Sequence, residues 1–166
     1  CNLIKGDKSS VPSSLNISQS TEVIADAAFE GCDNLESVII PDLLDRIPSK
    51  CFSNCKNLSK VVLGNNVSEI ADDAFENCKI NELTVGNSIT SLPSKIYNSN
   101  DLKKINVGNG IKSIGAKAFY NYRKLESVSL PTTVTNIGDS AFYNCKNLNY
   151  INIPNGITNI RNNTFN

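Results

Sequence analysis

Apolar side chains recur along this chain with a period of 23 residues and hold fixed offsets inside each period. The first clear unit carries Ile24, Phe29, Cys32, Leu35, Val38, Ile40 and Leu44. The second repeats the offsets with Ile47, Phe52, Cys55, Leu58, Val61, Leu63 and Val67. In the third (Ile70, Phe75, Cys78, Ile80, Leu83, Val85, Ile89) one residue is missing between Cys78 and Ile80. The fourth (Leu92, Tyr97, Asn100, Leu102, Ile105, Val107, Ile111) is also one short and is the most degenerate. The fifth reads Ile114, Phe119, Tyr122, Leu125, Val128, Leu130, Val134, and the sixth Ile137, Phe142, Cys145, Leu148, Ile151, Ile153, Ile157. A seventh opens with Ile160 and Phe165. A unit this short cannot bury its apolar side chains alone. Stacked units can, because equivalent positions fall into columns inside the stack.

Each unit mixes two local periods. Stretches such as Val38-Ile39-Ile40 and Ile151-Asn152-Ile153 alternate inward and outward positions, which predicts a short strand. These strands end at Pro41, Gly64, Gly86, Gly108, Pro131 and Pro154, residue types that stop strands. Stretches such as Ala74-Phe75-Glu76-Asn77-Cys78 put apolar groups at i, i+1 and i+4, which predicts a short helical turn. Asp72, Asp73 and Asp139 stand where its N-cap belongs, and Asn54, Asn77, Asn121 and Asn144 where it should end. Six strands paired in parallel at about 4.8 Å would form a sheet roughly 25–30 Å across, with the short turns as the opposite wall.

The pattern I-x-x-x-A-F-x-x-C-x-x-L-x-x-V-x-I-P-x-x-V-x-x resembles the BspA-like leucine-rich repeat family, in the variant with a Phe and a Cys on the helical side. The resemblance covers about residues 24 to 165 and extends in looser form over 15 to 23; Ile137 to Ile160 matches it closely. The fourth unit departs from it, with Leu92 in place of the opening Ile and Ile96-Tyr97 in place of Ala-Phe. The resemblance implies an α/β repeat fold: a right-handed leucine-rich repeat solenoid, with a parallel sheet on one face and short helical turns on the other. It also implies a cell-surface or secreted protein, since members of the family are mostly cell-surface or secreted proteins of bacteria and some protozoan parasites. Several members look like adhesins that bind host or matrix proteins.

Residues 1–23 read as an irregular N-terminal cap or linker, in which Leu15 and Ile17 could supply a first strand, and 24–166 as the solenoid of about six full repeats. Ile160 and Phe165 would lie at an open end, so the natural protein is expected to continue beyond them. The chain contains no Met, which points to a removed leader or to a piece of a longer protein.

Composition narrows the chemistry. Lys and Arg (16) balance Asp and Glu (16), so no global field draws in nucleic acid or an anionic membrane. No run of about 18 apolar residues predicts a transmembrane helix, and no signal peptide is visible. Histidine is absent, which removes the commonest general base and the usual partner of a Ser or Cys nucleophile. Asn is abundant, with 25 residues mostly in turn-like contexts.

Cys32, Cys55, Cys78 and Cys145 share one repeat position and read as a column of small buried hydrophobes. Adjacent coils would bring them within disulfide range, yet side chains of one column point the same way, which disfavours closure. Cys51 and Cys55 form C-x-x-x-C, but Cys51 replaces the small Ala of other units, and zinc would need a second close pair or His. Cys1 precedes a polar, Ser-rich stretch and admits two readings, a lipidated N-terminal Cys or a chain that simply starts there. Glu36, Glu82 and Glu126 lie near strands of different units and form no catalytic pair. The Gly-Asn turns after the strands lack the Lys and helix of a phosphate loop. Sequons at Asn16, Asn57, Asn66 and Asn162 matter only in a eukaryotic secretory pathway. No metal or cofactor is expected.

A site is expected on the outward residues of the sheet. One column is Ser37, Lys60, Glu82, Lys104, Ser127 and Tyr150; the next is Ile39, Val62, Thr84, Asn106, Ser129 and Asn152. Ile39, Lys60, Val62, Glu82, Thr84 and Lys104 form the candidate protein-binding patch, apolar and basic at once. The alternative is that Ile39 and Val62 are there because β-branched residues suit strands. A surface binding or adhesion module, monomeric and facing a protein ligand, is the favoured function. A structural spacer or stalk carrying a functional domain elsewhere is the alternative. An enzyme is not expected.

Overall fold

The computed structural model describes residues 10–92 and 101–166. Eleven short strands follow one another: β1 (Ser14–Asn16), β2 (Ser37–Ile39), β3 (Arg46–Ile47), β4 (Lys60–Val62), β5 (Glu69–Ile70), β6 (Glu82–Thr84), β7 (Lys104–Asn106), β8 (Ser113–Ile114), β9 (Ser127–Ser129), β10 (Asn136–Ile137) and β11 (Tyr150–Ile151). A seven-stranded parallel sheet runs β1-β2-β4-β6-β7-β9-β11, and two small parallel sheets, β3-β5 and β8-β10, form a second wall. The chain is therefore a β-solenoid of about six turns. Val38 pairs with Val61, Val61 with Leu83, Leu83 with Ile105 and Ile105 with Val128, so one inward column runs through five strands. All five are buried.

The two units that are one residue short stay in register. Lys60 pairs with Glu82 and Glu82 with Lys104, so the deletion is absorbed outside the strands. In the full-length units a turn bond links the Leu amide to the Cys-position carbonyl: Leu35 to Cys32, Leu58 to Cys55, Leu125 to Tyr122 and Leu148 to Cys145. The third unit has no such bond among the described residues, because Ile80 follows Cys78 by only two residues.

The predicted helical turns are not present, and the α/β expectation is corrected to an all-β solenoid among the described residues. Two left-handed residues in each of four coils interrupt any helix: Ala27 (φ 55°) and Gly31 (φ 68°), Lys50 (φ 54°) and Asn54 (φ 61°), Lys117 (φ 58°) and Asn121 (φ 65°), Ser140 (φ 56°) and Asn144 (φ 58°); the third coil carries one, Asn77 (φ 59°). The backbone amides between them alternate. Ala28, Glu30 and Cys32 donate within their own coil to Ala25, Ala27 and Phe29. Ala27, Phe29 and Gly31 donate across to Ser49, Cys51 and Ser53 of the next coil, at 2.9, 2.9 and 2.8 Å. An α-helix would spend these amides internally, and its diameter of about 10–12 Å would force this wall far apart. Here the wall repeats at the spacing of a sheet. Phe29, Phe52 and Phe75 stack with centroids 5.2 Å apart, and Phe119, Phe142 and Phe165 continue the stack at 5.2 and 5.4 Å. Tyr97, the fourth unit's counterpart, lies outside the described residues.

The absence of a helix also changes the reading of the acidic residues. Asp73 caps the preceding coil rather than its own, accepting from Ser49 Oγ at 2.9 Å and from the Lys50 amide at 3.2 Å. The Ser49 bond, with help from Lys50, holds its carboxyl below the ordinary aspartate value. Asp139 caps no helix and instead faces Arg161 at 4.0 Å. The asparagines expected at turn ends do adopt left-handed φ, and they bond along the stack: Asn77 Nδ2 to Asn54 Oδ1 at 2.8 Å, Asn144 Nδ2 to Asn121 Oδ1 at 2.6 Å.

The corner after each strand is where successive backbones come closest. A Cβ on Gly86 would overlap the Gly64 carbonyl, and one on Gly108 the Gly86 carbonyl. Glycine is required there for space. Gly86→Ala should therefore lower the unfolding free energy by about 1–3 kcal/mol, the usual range for overpacking, measured by urea denaturation against the parent chain.

Candidate functional site

The outer face of the seven-stranded sheet places all six candidate residues on four adjacent strands. Ile39 and Val62 are direct cross-strand partners, as are Val62 and Thr84. In the neighbouring column, Glu82 stands between Lys60 and Lys104. Its two carboxylate oxygens divide between the lysines: Oε2 lies 3.6 Å from Lys60 Nζ and Oε1 lies 3.6 Å from Lys104 Nζ. The three side chains are 55%, 37% and 53% exposed, so solvent screens the pairs and each contributes at most about 1 kcal/mol. Their effect is to fix where the charges stand. A shallow depression of about 130 Å³ opens between Lys60, Glu82, Thr84, Lys104, Asn106 and Ser127. Asn106 Nδ2 donates to Thr84 Oγ1 at 3.3 Å along its floor.

The face grades from apolar to polar along the stack. Ile39, the last residue of β2, is 40% exposed, and Val62 beside it is partly covered. Beyond Asn106 the outer positions become Ser127, Ser129 and the exposed Tyr150. The last strand is completed by a side chain. In earlier coils the amide after the strand donates to the next coil, as from Ile40 to Val62 and from Val107 to Ser129. The Leu130 amide instead donates to Asn152 Oδ1 at 2.8 Å, while Asn152 Nδ2 donates to the Leu130 carbonyl at 2.6 Å.

The cysteines form no site. Cys32, Cys51, Cys55 and Cys78 are buried, Cys145 is half-buried, and all five stand outside any disulfide. Sequence reasoning read them as small hydrophobes and missed their polar task. Cys55 Sγ donates to the Phe29 carbonyl at 3.1 Å, Cys78 Sγ to Phe52 at 3.1 Å and Cys145 Sγ to Phe119 at 3.0 Å. Each bond crosses to the preceding coil and gives a second donor to a carbonyl that already accepts a turn amide. The recurring interval of 26 residues between carbonyl and thiol was the available signal. Burial pushes the Cys51 thiol far above its ordinary value and that of Cys145 up to about 11, so neither is a ready nucleophile at neutral pH. No group of three or more metal-ligating side chains occurs among the described residues. Cys1, proposed as a lipidation point, lies outside them. Asn57 of one sequon is engaged, its Nδ2 donating to the Asp33 carbonyl at 2.8 Å.

The family model described as BspA type leucine-rich repeat region, in 6 copies, matches residues 8–101 and 92–166. The chain belongs to the BspA-type leucine-rich repeat family. No curated protein matches it significantly. Among solved structures, this BspA-type chain is similar to the pneumococcal vaccine antigen PcpA, with a TM-score of 0.51 and 19% identity over 78% of this chain and 37% of that one. It is also similar to a T. pallidum leucine-rich repeat protein (TM-score 0.48, 17% identity, 82% and 78% covered). A leucine-rich cell surface protein of Faecalibacterium prausnitzii matches with a TM-score of 0.42 and 22% identity, over 86% of this chain and 54% of its own length. At these identities the likeness is one of fold. The BspA-type chain spans only 54% and 37% of the last and the first of these relatives. Among the described residues, no helix is long and apolar enough to cross a membrane.

The raised Cys145 thiol has a signed consequence. The unfolded thiol titrates at 9.0 and the folded one near 11, so above the first value the unfolded chain sheds its proton first. Stability from this group is fully present below pH 9.0 and falls as pH climbs towards about 11. In Cys145→Ala that part of the alkaline decline should vanish. Denaturant titrations of both chains across the window measure it; equal slopes would refute it.

Proposed function

We propose that this chain is a protein-binding module of a cell-surface or secreted protein, and that it presents the outer sheet face to a protein ligand. The observation that carries the reading is the outward Ile39–Val62 pair, with Ile39 exposed and Val62 partly covered, bordered by the Lys60–Glu82–Lys104 triad. An apolar pair mid-sheet is costly to leave in water, and flanking charges held in place give a partner both contact area and orientation. The membership in a repeat family whose solved relatives include a cell surface protein supports the placement. The chemistry on the face is recognition chemistry: paired charges, hydroxyls and an amide line a small depression. A single module of this size would bind modestly, and several copies side by side would add avidity.

The test is binding of the labelled module to a panel of matrix and plasma proteins, beside the double variant Ile39→Asp/Val62→Asp. Both side chains are outward, so the variant should keep the parent's circular dichroism. Loss of at least about tenfold in affinity is expected, as for a central apolar contact. The same affinity in a folded double variant would overturn the patch. A module that binds nothing even as a multimer would instead serve as a spacer or stalk.

A further inference from the structure

A second surface lies away from the sheet face, where one rung of the small wall is missing. Between the coils of β3 and β5 that wall is closed by backbone bonds, with Ser68 donating to Asp45 and Ala71 to Ile47 at 2.8 and 3.0 Å. Between the coils of β8 and β10 it is closed by Thr135 donating to Lys112 and Gly138 to Ile114, at 3.0 and 2.8 Å. Glu69 also donates to Asp45, at 3.3 Å; one coil earlier the amides of Asp45 and Arg46 stand where those of Ser68 and Glu69 stand, and the carbonyls of Glu22 and Ile24 where those of Asp45 and Ile47 stand. None of these four groups has a backbone partner among the described residues. The sequence supplies the cause. Pro48 stands where Ala71 and Gly138 stand in later coils, and proline has no N–H to close the rung.

The gap this leaves is a cavity of about 420 Å³ lined by the two stretches that should have paired, 22–26 and 44–48. The bond from the Ala27 amide to the Ser49 carbonyl, at 2.9 Å, closes one end. Val23 stands at its mouth with 72% of its surface exposed, at the position that Arg46 and Glu69 fill in the next two coils. Glu22, Asp26 and Asp45 outnumber Arg46 around it. We propose that this slot takes an extended segment of a partner protein, apolar in alternate positions and basic between them, as an added strand. Such an occupant's carbonyls meet the Asp45 and Arg46 amides, its own amides donate to the Glu22 and Ile24 carbonyls, its apolar side chain meets Val23, and its basic side chains meet the carboxylates. The volume suits two or three residues, the range of the native strand lengths.

The probe is an end-blocked peptide of alternating Lys and Val, titrated into the whole chain by calorimetry, with amide exchange of Asp45 and Arg46 followed by NMR. Saturable binding with slowed exchange at these two amides is expected. Backbone N-methylation of the peptide should weaken binding about tenfold, as loss of backbone bonds would. Val23→Lys, a change at an exposed position, should weaken it as much, and a Glu–Val peptide should bind less than the Lys–Val one. The Ile39→Asp/Val62→Asp chain should bind the peptide like the parent, which separates this slot from the sheet face. Three results would each overturn the proposal: no saturable binding, unchanged exchange at Asp45 and Arg46 on binding, or equal binding of the N-methylated peptide. Loss of peptide binding in the Ile39→Asp/Val62→Asp chain would move the peptide to the sheet face and overturn it equally.

Discussion

The structure depends on backbone hydrogen bonds between successive coils. With strands of two or three residues, no coil is stable alone, and each borrows most of its hydrogen-bonding partners from its neighbours. The seven-stranded sheet does this in the ordinary way. The turn wall does it by alternation, one amide inward to its own turn and the next across to the following coil. Left-handed residues four apart make the alternation possible, because they turn every other amide out of the local path. The Phe stack, the Asn ladder and the cysteine thiols all sit on that wall and inherit its spacing. Buried Cys earns its position there: it is small enough for the column, and its S–H reaches a carbonyl that a methyl group would leave with a single partner.

Much of the fold was legible because the columns are written in the sequence. The offset from Val38 to Val61, Leu83, Ile105 and Val128 is the register of the sheet. The helical turn was misread for a definite reason. Apolar groups at i, i+1 and i+4 mark one face of a helix, but they also mark one side of a chain of tight turns. Only the backbone tells them apart. Asn54, Asn77, Asn121 and Asn144 hinted at left-handed geometry, but Ala27, Lys50, Lys117 and Ser140 adopt it without any residue-type signal. Their conformation is imposed by the neighbouring coil, which pays the strain through a cross-coil bond at the same residue, as at Ala27 and Lys117.

The candidate face was legible only in part. Alternation named the outward residues, and the structure puts Ile39, Lys60, Val62, Glu82, Thr84 and Lys104 on four adjacent strands. That Glu82 is shared by two lysines follows from the two shortened units, which keep the three positions in one column. The sequence already sets Lys60, Glu82 and Lys104 in one column; how Glu82 divides its two oxygens between the lysines depends on side-chain conformation, which the column does not specify.

The same dependence on neighbours explains why the slot beside Val23 escaped notice. A proline in a repeat reads as local punctuation, and Pro48 breaks nothing within its own coil. Its effect falls on the coil before, 23 residues away, where it withholds a donor that Ala71 and Gly138 supply in their coils. In a solenoid, the consequence of a substitution is felt one repeat distant as readily as next door. Sequence positions in such a protein are therefore best compared down columns, and a residue that breaks its column marks either a weak rung or a place kept open for something else.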